Sequence, residues 1–467
     1  MREGRHRPTW PHHLIRREDL MENQDIVKKT SQFIKRSIIL KIISVGILIL
    51  LLLIPASMVK GLIRERQQRR DAVVQEISQK WGDSQTITGP FLTVPYKTYY
   101  KDDKGKTRFN LNYLHFLPQT LDISGDMTPE VRYRSLFEAV LYNTKLTFNG
   151  HFKLPPVSQL NVEPQNILWN KANLSLGITD MRGIREKIVL TFNGVEYDAN
   201  PGLKTTDLAE AGVSTLIEPP SAQTVNEFSF DLNLNGSEKI HLIPVGETNS
   251  VRMTSTWPSP SFNGAFLPVT REVGKEGFSA DWKVLHLNRN YPQFWQGSQY
   301  KVTPSAFGLD LIITADIYQK STRLAKYAVM FLVFTFFAFF FSEIINKRRI
   351  HPIQYLLVGM AILIFYTLVL SLSEYIPFNL AYILSAGSVT LIISGYAKAI
   401  VTNSKFALTI AGILGILYCY LFIVLQLEDY ALILGSVGLL VILSLVMYVT
   451  RKINWYEVET VAREGEE

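Results

Sequence analysis

The last third of the chain alternates five apolar runs with links too short to fold. The runs fall at about residues 325–342, 354–372, 377–397, 406–426 and 431–449, each close to the roughly 20 residues that cross a hydrocarbon core as a helix. The links are Asn346-Lys347-Arg348-Arg349, Ser373-Glu374-Tyr375, Lys398 to Lys405, and Glu428-Asp429, so successive helices must alternate in direction. A sixth run, from about Ile38 to Val59, stands alone near the start and is broken only by Lys41 and Pro55. It is too long for the core of a cleaved signal and no small-residue cleavage site follows it, so it reads as an uncleaved anchor. The pattern predicts a polytopic α-helical membrane protein of six spans, with a large domain inserted between spans 1 and 2.

Only 19% of the 467 residues are charged, below the roughly 25% of ordinary soluble chains. The mean hydropathy is nevertheless only +0.10, so the apolar residues are gathered in blocks. Lys and Arg (48) exceed Asp and Glu (41) by 7, but within residues 61–322 the two kinds balance at 27 each. The surplus lies in the first 41 residues and at the ends of the apolar blocks, which orients spans and leaves no nucleic-acid footprint. Lys347, Arg348, Arg349, Lys398, Lys405, Arg451 and Lys452 fall on one side, and Glu374, Glu428 and Asp429 on the other. The positive-inside rule places the first set, and with it both termini, in the cytoplasm. Arg64, Arg66, Arg69 and Arg70, just past the first span, vote the other way, although long domains translocate despite such charges. The expected organisation is a basic cytoplasmic tail (1–37), span 1 (38–59), an outer domain (60–322), a five-helix bundle (325–449) and a cytoplasmic tail (450–467).

Residues 60–322 contain no span-length apolar run. After a polar helical entry from Arg64 to Trp81, short apolar/polar alternations predict strands. Phe91-Leu-Thr-Val-Pro-Tyr and the stretch from Arg108 to Phe116 flank the turn Asp102-Asp103-Lys104-Gly105. Further strands are expected before Asn193-Gly194, from Phe228 to Leu234, and from Leu309 to Ile317, with Asn235-Gly236-Ser237 turning the chain back towards Ile240. Many short strands with Gly, Pro and Asn turns argue for a β-sandwich or a pair of β-rich subdomains, with Asp198 to Ser221 as a candidate boundary.

No Gly-x-Ser-x-Gly elbow, His-Glu-x-x-His helix or phosphate-binding loop occurs, so no catalytic residue is expected. The single cysteine, Cys419, lies in an apolar block, which rules out a disulfide framework or thiolate metal cluster; no metal or cofactor site is expected. Three constellations stand out. Trp257, Pro258, Pro260, Phe262, Gly264, Phe266 and Pro268 form an aromatic, Pro-rich segment. It reads as a rigid corner, or as an outer loop gripping a glycan or lipid headgroup. His351, Pro352 and Gln354 open the third span, where Pro352 suits a helix start and His351 serves as a polar anchor or a protonation site. Glu343, Glu374, Lys326 and Lys398 border spans; at span ends they are expected to reach water, whereas charge in mid-membrane would mark a transport path. Gly412, Gly415, Gly435 and Gly438 are expected to let helices pack closely. The tail histidines His6, His12 and His13 sit among arginines, in a basic tail suited to anionic lipid.

Several stretches resemble the CreD family of bacterial inner-membrane cell-envelope integrity proteins. They include Gly89-Pro90-Phe91-Leu-Thr-Val-Pro95, Gly177-Ile-Thr-Asp-Met-Arg182-Gly183-Ile184, Trp257 to Gly264 and Phe266-Leu267-Pro268. They continue with Arg271-Glu272-Val273, Gly277-Phe278, Thr322 to Ala328, His351 to Gly359, Leu372-Ser373-Glu374 and Asn454-Trp455-Tyr456. The likeness runs in order over roughly residues 38–456. It implies a bacterial inner-membrane location, a periplasmic outer domain, and a link to envelope maintenance under a two-component regulator that in some bacteria bears on the β-lactam response. No reaction is established for the family, so the residues named above are carried as structural or partner-contact candidates.

The leading expectation is a non-enzymatic envelope protein whose periplasmic domain binds or senses an envelope component or another envelope protein, with membrane lipids as the other partner. A transporter or flippase using the helix bundle is the alternative, and a periplasmic hydrolase with an unfamiliar site a third.

Overall fold

The computed structural model describes residues 38–221, 223–312, 317–346, 350–401, 404–427 and 430–451. The tail with His6, His12 and His13, the link residues Lys347, Arg348, Arg349, Glu428 and Asp429, and Lys452 with Asn454-Trp455-Tyr456 lie outside the described residues. The chain divides into two compact units that part within the first helix after Gln67 and again before Ile317.

The first helix, α1, runs unbroken over Ile38–Trp81 for 44 residues, through Pro55. Its apolar first part passes directly into the Arg- and Gln-rich stretch, because neither half contains a helix-ending glycine cap or a run of turn residues. The last turns belong to the β-rich unit. Val74, Ile77 and Trp81 pack on Ala139 and Leu141, and the Trp81 indole donates to the Tyr142 carbonyl at 3.2 Å.

The β-rich unit consists of a nine-stranded and an eight-stranded sheet. One hydrophobic cluster takes residues from both, among them Phe91, Leu174 and Leu309 from the first and Phe148, Phe230 and Trp282 from the second. The two sheets are therefore one β-sandwich sharing a core, not two subdomains. Pairing is antiparallel except for Gln85–Lys101 with Lys239–Ile243 and Thr120–Arg134 with Thr248–Ser255. The Asp102–Gly105 turn joins a hairpin in register from Lys101↔Thr107 to Leu92↔Phe116, and Asn193-Gly194, both at positive φ, close a second hairpin.

Three expectations are corrected. Asn235-Gly236-Ser237 does not turn back: it stays in the ladder opposite Asn143, Tyr142 and Leu141. Gly236 is there because a Cβ would lie 2.2 Å from the Tyr142 hydroxyl. The chain turns instead at Glu238 (φ 61°) and crosses to the other sheet. Asp198 to Ser221 is likewise a crossing between sheets, since it contributes Asn200–Pro201 and Gly212–Leu216 to the nine-stranded sheet. The final strand ends at Leu311, and Ile317 opens a helix.

In the other unit, α2 (Ile317–Lys326) and α3 (Ala328–Asn346) are followed by α4 (Pro352–Ser373), α5 (Phe378–Val401), α6 (Ser404–Gln426) and α7 (Ala431–Thr450). Among the described residues, four helices, α1, α4, α5 and α6, are long and apolar enough to cross a membrane; α2 and α3, bent by 46° at their junction, make a fifth if they are one span. The bend separates a polar helix bearing Lys320, Arg323 and Lys326 from an apolar one, so the expected run at 325–342 is entered at Ala328. Lys398 lies inside α5 rather than in a link. Of the glycines expected to tighten packing, Gly412, Gly415 and Gly435 face open space. Gly438 packs on Tyr420, and Gly359 admits Leu52 of α1, whose Cδ1 would lie 2.3 Å from an added Cβ.

Candidate functional site

The Trp257–Pro268 segment forms an edge of the sandwich. Pro260–Gly264 pairs with Phe307–Leu311 at the end of the nine-stranded sheet, where a proline costs no ladder bond. Phe262 is half-buried with its ring 5.6 Å from both Phe278 and Trp282, edge to face. Phe266 meets Phe307 at 5.9 Å. The Trp257 indole donates to the Ser259 carbonyl at 3.2 Å, and Pro258 is exposed while Pro268 is half-buried. Gly264 has φ 93° and sits so close to Ala306 that a Cβ would lie 2.4 Å from its carbonyl oxygen. The position therefore requires glycine.

Phe266 also enters a groove of about 380 Å³ lined by Asn288, Arg289, Asn290, Tyr291, Gln299, Tyr300 and Lys301, within the roughly 300–1,000 Å³ of small-molecule sites. Three features fix its walls. Tyr291 donates to the Pro244 carbonyl at 3.1 Å and meets the Ser305 hydroxyl at 2.8 Å. Tyr300 leans edge-on against Trp295 at 5.7 Å. Arg289 lies over the Tyr291 ring at 4.1 Å and donates to the carbonyls of Tyr291, Val245 and Gly246 and to Gln293. Its buried Nε has no partner among the described residues. Burial lowers the Arg289 pKa to about 10, which still leaves the side chain cationic at neutral pH. No carboxylate is among the described residues that line the groove. Asn290, Gln299 and Lys301 make no side-chain hydrogen bond among the described residues and stand exposed. The sequence reading passed over this groove; its signal was the density of carboxamides and tyrosines in Asn288-Arg-Asn-Tyr and Gln299-Tyr-Lys301.

The matched stretch around Asp180 is a structural knot. Its carboxylate takes Arg182 Nε at 2.8 Å, Arg182 Nη2 at 2.9 Å and the Asp83 amide at 2.8 Å. Burial alone would raise its pKa, but these donors outweigh it and hold the group below the usual carboxylate range. Gly183 lies against the Asn235 carbonyl, 2.2 Å from where a Cβ would be.

In the helical unit His351 is exposed and caps α4: its Nδ1 accepts from the Ile353 amide at 3.3 Å while Gln354 Oε1 accepts from the His351 amide at 2.9 Å. Pro352 occupies the first helical position, where its missing N–H costs nothing. The expectation that Glu343 and Glu374 reach water is corrected. Glu343 is buried, paired with Lys41 and accepting from the Tyr355 hydroxyl at 3.1 Å. Glu374 ends α4 with its side chain only 9% exposed, 3.6 Å from Arg66. Lys326 and Lys398 are exposed. The physical reason is α1, which brings cations to both carboxylates; a reading of the bundle alone does not contain them. Among the described residues no group of three His, Cys, Asp or Glu side chains could hold a metal.

A large β-sandwich followed by a bundle of apolar helices, tied to α1 by ion pairs, defines a polytopic membrane protein with a large β-rich domain. The family profile described as "Inner membrane protein CreD" matches residues 37–456. Inner membrane protein CreD of Escherichia coli (strain K12) is 33% identical over 423 residues, covering 87% of this chain and 91% of that one. The chain belongs to the CreD family and is a multi-pass inner-membrane protein.

Proposed function

We propose that this protein serves cell-envelope integrity without catalysing a reaction, and that its β-sandwich lies in the periplasm and binds an envelope component. The proposed arrangement has six spans, counting α1, the α2–α3 pair and α4 to α7, with both termini cytoplasmic. The cationic links of the bundle support that orientation. The observation that carries the binding reading is the groove beside Phe266. Tyr291 is fixed there by hydrogen bonds and Phe266 and Tyr300 by ring contacts, while Asn290, Gln299 and Lys301 line it with no side-chain partner among the described residues. Unpartnered polar groups beside ordered aromatic rings suit ligand binding better than they suit core packing. Against transport stands the pairing of both buried carboxylates, Glu343 and Glu374, with cations of α1.

The experiment is photocrosslinking in living cells. A photoreactive residue at Tyr300 should capture a wall or envelope component, and one at Glu196, exposed on an edge strand of the other sheet, should not. Equal capture at both positions, or none at Tyr300, would contradict the reading.

A further inference from the structure

The chemistry of the groove narrows its ligand, on the premise just stated that the groove binds an envelope component. Asn290 and Gln299 each offer a donor and an acceptor side by side, and neither is engaged elsewhere among the described residues. Asn288 uses its carbonyl oxygen on the Leu285 amide at 3.0 Å and keeps its N–H groups. Carboxamides of this kind match the vicinal hydroxyl and acetamido groups of an amino sugar, which also alternate donor and acceptor. Phe266 and Tyr300 supply ring surface for the apolar C–H face of a pyranose. The rings are fixed in advance by Phe307 and Trp295, so little ordering entropy is lost on binding.

Charge decides the rest. Arg289 carries a positive charge whose hydrogen-bond partners are all neutral, with Glu247 acting on it only from outside the lining; Lys301 is unpaired, and no acidic side chain lines the groove, among the described residues. A ligand group that needs a bidentate guanidinium fork is a poor match. Most of the Arg289 protons are spent on carbonyls and Gln293, so the guanidinium has no free fork to offer. A single carboxylate on a sugar needs only one point cation, and Lys301 is that cation.

We propose that the groove binds a saccharide bearing a carboxylate, with Lys301 meeting the carboxylate, Asn288, Asn290 and Gln299 holding hydroxyl and acetamido groups, and Tyr300 stacking on the sugar ring.

The experiment is calorimetric titration of the full-length protein in neutral-lipid nanodiscs with two disaccharides. One is N-acetylglucosaminyl-N-acetylmuramic acid, which carries a carboxylate; the other is diacetylchitobiose, which does not. The acidic sugar should bind at least about tenfold more tightly, a difference of ~1.4 kcal/mol. Lys301→Gln should erase that preference and leave the neutral sugar unaffected, because Lys301 is exposed and anchors nothing in the fold. Tyr300→Ala should weaken both sugars. Equal affinity for the two sugars, or a preference that survives Lys301→Gln, overturns the proposal. If neither sugar binds while Tyr300 still crosslinks a component in cells, the ligand class is wrong and the groove remains a binding site; if crosslinking fails as well, the underlying reading fails with it.

Discussion

Arg66 Nη1 lies 3.6 Å from Glu374 Oε2, and near the start of the same helix Lys41 is paired with Glu343 and donates to the Ile350 carbonyl at 3.2 Å. The two cations are about 38 Å apart along α1 at 1.5 Å per residue, enough to bracket a hydrocarbon core about 30 Å thick. α1 is thereby fixed at one depth to α3 and Ile350 and at another to the end of α4, with Leu52 seated against Gly359 between them.

The two pairs should differ in worth. The Lys41 and Glu343 side chains are 22% and 10% exposed, so removing one partner strands a poorly solvated charge. Lys41→Met or Glu343→Leu alone should destabilise the helical unit by roughly 3–5 kcal/mol, and the double substitution should recover much of that loss. Arg66 is 40% exposed, and its contact with Glu374 should be worth only about 0–1 kcal/mol. Thermal unfolding in micelles of these three variants, and of Arg66→Met for the second pair, reads both. A double variant less stable than either single one would refute the pairing.

The topology can be read by labelling, with Cys419 replaced. A cysteine at Asp103, in the exposed hairpin turn, should react with an impermeant maleimide in intact spheroplasts. One at Asn346, which ends α3, should react only after lysis. Labelling of position 346 from outside reverses the orientation.

The Trp257–Pro268 corner should tolerate loss of a ring better than loss of its glycine. Phe262 is half-buried, so Phe262→Ala should cost roughly 2 kcal/mol, below the ~3–5 of a fully enclosed ring. Gly264→Ala places a methyl at φ 93° against the Ala306 carbonyl, so about 1–3 kcal/mol of backbone strain adds to a steric clash and the total loss should exceed that of Phe262→Ala. Denaturant melts of the two variants decide it; an unaffected Gly264→Ala melt is the outcome that fails.

The sandwich should lose stability in mild acid through His115. The ring is fully buried, with Nε2 2.9 Å from Asp207 and Nδ1 3.3 Å from Thr93. Burial lowers its pKa below 6.5, and the Asp207 carboxylate only partly opposes the shift. The unfolded chain therefore takes up the proton first as pH falls below about 6.5, and stability declines from there down to the folded pKa. His115→Gln should flatten the slope of stability against pH between about 7 and 5. An identical slope in both proteins would show that His115 does not titrate on unfolding.

How far the sequence could be read depends on the range of the interactions. The apolar runs and the Asp102–Gly105 and Asn193-Gly194 turns are local signals, set by composition or by a few neighbouring residues, and the elements formed where those signals stood. Asn235-Gly236 misled because glycine there makes room for Tyr142, a residue 94 positions earlier and invisible to local turn rules. Glu343 and Glu374 misled for the same reason: Lys41 and Arg66 are distant in sequence, and span-end carboxylates look solvated until α1 is in place. The groove was hardest to see, since Phe266, Tyr291 and Tyr300 come from three separate loops with no shared spacing.

The central claim, that envelope function resides in the groove of the sandwich, is measured most directly by complementation in cells lacking the native protein. A Tyr300→Ala, Lys301→Gln double variant removes two exposed groove side chains and should be produced at normal level with an unchanged melting temperature. The account predicts that it fails to restore envelope integrity, scored as sensitivity to a cell-wall-directed antibiotic. Full restoration by that variant would contradict the account and move the function to another surface of the protein.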